Sequence, residues 1–192
     1  MGCAAVGALL FFAFAILPLN PTAATSANTY RYYWEDFPVG QVREFGAMRV
    51  TREASLAFAR DFDPQPFHVD DDAARGSLFG ALSASGWHTC AMAMRMMCDA
   101  YLLESASLGS PGLDELRWLK PVFPDDTLSV RLEILEARPM ASRPGVGLVR
   151  SMWQVSNQHG DAVLTMKGWG MYRRRPPPSG APEPESAHAA PR

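Results

Sequence analysis

Apolar and polar residues alternate along the second half of the chain: Val130, Leu132 and Ile134 stand at every second position between Thr127 and Arg138. That period predicts a strand with one buried face. Gly147 to Asn157 and Asp161 to Arg173 read as two more strands, joined by Asn157-Gln158-His159-Gly160-Asp161, whose residue types suit a hairpin turn. Leu113 to Leu119 and Val42 to Thr51 complete the set. Helical spacing marks Arg52 to Phe62, with Thr51 as its cap. Asp70-Asp71-Asp72 open a further short helix, since acidic residues complement its N-terminal dipole. Gly86 to Glu104 is apolar on most of its circumference, which predicts a helix wrapped by protein. Long antiparallel strands following helices predict an α+β domain, and no internal repeat interrupts it.

The two ends depart from this pattern. Ala4 to Leu19 is almost wholly apolar, no Lys or Arg occurs before Arg31, and Thr25-Ser26-Ala27 would suit signal-peptidase cleavage. The missing basic region argues against export, and the run falls short of the roughly 20 residues of a spanning helix. An upstream start unused by the mature domain, a signal or anchor, and an ordered extra helix are the three readings of residues 1–29, with the first favoured. Residues 176–192 are mostly Pro, Ala, Ser and Glu, which bury too little surface to offset the entropy of ordering and predict a disordered tail. The domain is therefore expected over residues 30–175.

A chain of 192 residues, 47% hydrophobic and 20% charged, fits one core with terminal extensions. Its formal net charge of −2 provides no basic field for nucleic acid or an anionic membrane, so neither is an expected partner. Cys90 and Cys98 lie about 12 Å apart along the expected helix and cannot pair there. Free thiols in a core helix suit a reducing cytoplasm. No metal is expected, because neither a helical His-x3-His pair nor paired cysteines stand at ligand spacing.

Candidate chemistry concentrates in Asp63-Pro64-Gln65-Pro66-Phe67-His68. A carboxylate and an imidazole at this spacing more often brace a loop. Here two prolines fix φ near −65° and bias the residues before them away from the helical region, so the segment is stiff and aims its side chains reproducibly. Ser85-Gly86-Trp87-His88 then opens the apolar helix, whose free N–H groups offer a site for negative charge. Asp63 and His68 form the candidate acid/base pair, and Gly86 and Ser85 the candidate oxyanion or substrate contacts. His88 is more simply a packed residue, and His159, in an exposed turn, is no sensible base.

At these residues the chain resembles the MaoC-like, (R)-specific enoyl-CoA hydratases and dehydratases, whose signature runs Asp-x-Asn-Pro-x-His-x-Asp. Here it reads Asp63-Pro64-Gln65-Pro66-Phe67-His68-Val69-Asp70. The likeness extends from about Tyr33 to Tyr172, through Trp34-Glu35-Asp36-Phe37-Pro38-Val39-Gly40 and Leu119-Lys120-Pro121-Val122-Phe123-Pro124-Asp125-Asp126. Gln65 departs from the usual Asn, and Ser85 stands where many members have His. The resemblance implies a single hotdog domain, an antiparallel curved sheet wrapped around a central apolar helix. It implies reversible hydration of a 2-enoyl-CoA to a 3-hydroxyacyl-CoA, with Asp63 as base, His68 orienting the water and shuttling or donating a proton, either of the two protonating C2, and no cofactor beyond the coenzyme A thioester itself. A homodimer is the implied assembly, and Arg117, Lys120 and Arg131 are candidates for the coenzyme's phosphates. The rivals are an acyl-CoA thioesterase on the same fold and a domain that binds acyl-CoA or a partner without turnover.

Overall fold

The computed structural model describes residues 30–177, so the expectations for residues 1–29 and for nearly all of the tail lie outside it. Five strands form one antiparallel sheet: β1 (Val42–Arg49), β2 (Ser107–Trp118), β3 (Thr127–Pro139), β4 (Val146–Ser156) and β5 (Ala162–Arg173). Their order is β1-β3-β4-β5-β2, which leaves β1 and β2 at the edges. The helices are α1 (Arg52–Phe62), α2 (Pro66–Val69), α3 (Asp71–Arg75) and α4 (Gly86–Met97).

The alternation in β3 has the predicted consequence: Leu128, Val130, Leu132 and Ile134 are all buried. They meet Met92, Ala93, Met96 and Met97 of α4 in a core that also takes in Val155, Leu164 and Met166. Each such aliphatic side chain withdrawn from water stabilises the fold by about 1.5–3 kcal/mol, so this contact fixes α4 against the sheet. The backbone adapts to bring them close. Gly46 lies in a bulge of β1 at φ +110°, and a Cβ there would stand 2.5 Å from the Met96 sulfur.

Three expectations need correction. The apolar helix ends at Met97, and Cys98–Leu102 forms a π turn closed by a Leu103 N–H bond to the Cys98 carbonyl at 3.2 Å. That turn carries Tyr101 into the core between Phe37 and Phe45. Nor is α4 wrapped on all sides, since Trp87 is 58% and Met94 50% exposed. Finally, β2 begins six residues before Leu113, at Ser107. Gly109, Pro111 and Gly112 fall inside it, and an edge strand absorbs them through register shifts opposite β5.

Candidate active site

Local sequence explains how Asp63 and His68 come to face each other. Pro64 disfavours helical backbone at the residue before it, so α1 stops at Phe62 and Asp63 caps it with ψ 63°. The Gln65 N–H then bonds the Asp63 carbonyl at 2.8 Å, folding the chain tightly over Pro64. Pro66 occupies the first position of α2, where its missing N–H costs nothing, and the turn presents His68. The segment expected as a stiff loop is thus a tight turn followed by one helical turn. Asp70 caps α3 by accepting from the Ala73 N–H at 2.8 Å, which gives that acidic residue a structural task.

The buried imidazole of His68 is held through Nδ1 and faces Asp63 with Nε2. Its Nδ1 lies 2.8 Å from the Ser83 carbonyl oxygen, and its Nε2 lies 3.6 Å from Asp63 Oδ2. A carbonyl oxygen only accepts, so Nδ1 carries a hydrogen and Nε2 is the nitrogen left to face the carboxylate. Asp63 is held as firmly. Ser85 donates to Oδ2 at 2.6 Å and Gln65 donates to Oδ1 at 2.7 Å. Burial pushes the Asp63 carboxyl up, but the hydrogen bonds from Ser85 and Gln65 oppose it, and the group lies below its ordinary value.

Ser85 joins this pair to the helix start. Its hydroxyl oxygen accepts from the Trp87 N–H at 3.2 Å while its hydrogen goes to Asp63. Gly86, the first residue of α4, keeps an N–H with no acceptor among the described residues. Upstream, the buried Ser83-Ala84-Ser85 run is tied by the Ala84 N–H to the Val122 carbonyl at 2.8 Å. The Leu119–Asp126 segment noticed in the sequence therefore braces the site from below.

Asp63, His68 and Gly86 line one cavity of about 470 Å³, with Phe67, Phe79 and Val163 among its apolar walls. Lys120 also lines it and pairs with Asp161 at 2.6 Å. The other two candidate cations do not reach it: Arg117 pairs with Glu115, and Arg131 with Glu133 at 2.8 Å. His88 is buried away from the cavity, stacked on Phe58 with ring centroids 5.0 Å apart, and burial lowers its pKa. His159 is exposed in its turn. No group of three or more His, Cys, Asp or Glu side chains stands at metal-binding distance among the described residues.

Sequence reasoning missed two partners. The Ser83 carbonyl that fixes the His68 tautomer is backbone and has no side-chain signal. Gln65 was noticed as a departure from a pattern, not as a donor to Asp63. Ser85 was chosen for its place beside Gly86, whereas its closest contact is the Asp63 carboxylate.

Comparisons with known proteins bear on the fold and the family. A crystal structure of a MaoC-like dehydratase from Rhodospirillum rubrum superposes with a TM-score of 0.70 at 41% identity, covering 76% of this chain and 99% of that one. The unliganded R-hydratase PhaJ1 of Pseudomonas aeruginosa gives 0.60 at 25% identity, covering 74% and 86%. A mesaconyl-CoA hydratase from Cereibacter sphaeroides is 40% identical over 73 residues, which are 38% of this chain and only 21% of that larger protein. The fold is the hotdog. The family model described as "MaoC like domain" matches residues 36–154, more than half of the chain and the stretch that holds Asp63, His68, Ser85 and Gly86, and the chain belongs to that family.

Proposed function

We propose that this protein adds water reversibly across the double bond of a 2-enoyl-CoA, giving a 3-hydroxyacyl-CoA. The observation that carries the reading is the facing of two acceptors, Asp63 Oδ2 and His68 Nε2, over 3.6 Å. Two acceptors at that separation suit a water that donates one hydrogen to each, leaving its lone pair free to attack. Asp63, ionised at neutral pH, takes a proton as the water oxygen bonds to C3. His68 holds the water's other hydrogen and sets its direction. Charge moves to the thioester oxygen, where the unpaired Gly86 N–H at the start of α4 can meet it. C2 gains one proton for the one Asp63 took, so the pair ends the cycle as it began. The related hydratases are consistent with this chemistry. Lys120 is the cation that favours a phosphate-bearing carrier, since it lines the cavity.

The test is loss of the enoyl-thioester absorbance of crotonyl-CoA with a thiol reagent present. Loss without free thiol is expected. Thiol release would instead indicate a thioesterase, and silence on this and longer 2-enoyl-CoAs would indicate a binding domain.

Ser85 gives a prediction about pH. Its hydrogen bond favours ionised Asp63, so Ser85→Ala raises the carboxyl pKa and protonates the base at higher pH than in the wild type. The acidic limb of the kcat/KM profile moves upward by about one to two pH units, as loss of a hydrogen bond to a charged group worth about 1.5–3 kcal/mol implies, while at neutral pH the base stays ionised and this effect fades. A profile of unchanged shape would show that Ser85 does not tune the base.

We also infer a homodimer. The edge of β2 exposes Leu108 and Leu113, apolar side chains on an unpaired strand edge that a second copy would cover. Light scattering is expected to give twice the chain mass at micromolar concentration, and a monomer there would contradict the inference.

A further inference from the structure

Gly86 needs to be glycine for a reason the sequence does not reveal. A Cβ on it would lie 2.5 Å from Trp118 Nε1, 2.6 Å from Cε2 and 2.9 Å from Cδ1. The indole of Trp118 therefore lies against the Cα of the first residue of α4, the residue whose N–H is assigned above to the thioester oxygen. It is anchored on two sides. Its backbone is paired opposite Leu164 of β5, with the next N–H, that of Leu119, bonded to the Val163 carbonyl at 2.8 Å. Its ring packs edge-on against Trp87 with centroids 5.2 Å apart and planes at 81°. Both indoles line the cavity, and Trp118 remains 46% exposed, so the rest of the core does not depend on it.

We propose that Trp118 is a specificity-determining residue that selects enoyl thioesters carrying only hydrogen at C2. The inference rests on the hydratase reading of the same site. Two fixed points hold the substrate: the thioester oxygen at Gly86, and C3 at the Asp63–His68 pair. C2 lies between them, bonded to the carbonyl carbon, and the cavity beside Gly86 is lined by an indole packed against the Gly86 Cα. A methyl group on C2 adds a carbon that needs about 3.5–4.0 Å to its neighbours, and in this reading the ring is the wall it meets.

The experiment compares kcat/KM for crotonyl-CoA with that for its 2-methyl homologue, tiglyl-CoA, in wild type, Trp118→Ala and Trp118→Leu. The methyl group's intrinsic effect on reactivity is common to all three enzymes and cancels between them. One methyl is worth roughly 10- to 200-fold in a closed pocket, so the crotonyl preference is expected to shrink at least 10-fold in Trp118→Ala and by a smaller factor in Trp118→Leu. An unchanged preference in the variants overturns the proposal, as does wild type turning over both substrates equally. If Trp118→Ala does not fold, the leucine variant decides by the same criterion. Failure of wild type on crotonyl-CoA and longer 2-enoyl-CoAs would instead overturn the hydratase reading, so the two failures are distinguishable.

Discussion

Asp63→Asn is expected to lower kcat for hydration by about 10²- to 10⁴-fold while KM changes little, the magnitude typical of removing a general base. The substitution is nearly isosteric. The amide oxygen can still accept from Ser85, so the 2.6 Å bond to the start of α4 has a replacement and the cavity keeps its shape. What is lost is the capacity to take a proton, together with the negative charge that holds the water against His68. A melting temperature within about 3 °C of wild type would show that the fold is intact, since a change of 1 kcal/mol already shifts a domain of this size by about that much. Retention of more than a tenth of wild-type kcat would remove Asp63 from the role of base. An enlarged KM at unchanged kcat would mean that it contributes only to binding.

The second large effect is expected at His68, where two substitutions separate chemistry from packing. His68→Asn retains an N–H donor close to the ring's Nδ1, able to satisfy the Ser83 carbonyl now 2.8 Å away, but it has nothing at the Nε2 position. It should fold and lose about 10²- to 10⁴-fold in kcat. His68→Ala loses the same chemistry and also leaves the Ser83 carbonyl without its donor, at about 1–3 kcal/mol of stability. Equal activities with unequal melting temperatures are therefore expected. The double variant Asp63→Asn/His68→Asn should be little worse than either single one, because two groups that hold one water act as a unit. Multiplicative losses would show that they serve different steps, and full activity in His68→Asn would exclude the imidazole from the reaction.

Much of this was legible in the sequence because it rests on local rules. The strict alternation of Val130, Leu132 and Ile134 reported a buried face, and Thr51 does cap α1, its hydroxyl accepting from the Ala54 N–H at 3.1 Å. Pro64 and Pro66 signalled that Asp63 and His68 leave the helix in a defined way. What escaped depends on distant parts of the chain. Ser85 meets Asp63 across 22 residues of sequence, and only the fold decides that a helix-capping hydroxyl also holds a carboxylate. Periodicity reports apolarity, not what covers it, so Trp87 and Met94 were expected inside and lie outside. The start of β2 at Ser107, with Gly109 and Gly112 inside the strand, escaped for a similar reason. At an edge the sheet tolerates φ of +96° and +141° in bulges, whereas a central strand would not. Gly86 shows the limit most clearly, because its neighbour Trp118 is 32 residues away and nothing in the local sequence announces it.

The central claim is that water attacks C3 and leaves the thioester whole. The most direct test is to incubate the enzyme with crotonyl-CoA in ¹⁸O-labelled water and to analyse the products by mass spectrometry. A 3-hydroxybutyryl-CoA carrying the label on its C3 oxygen, with no free coenzyme A, is the predicted result. Label in a released carboxylic acid, with an equal amount of free coenzyme A, would place the attack at the carbonyl carbon and contradict the account.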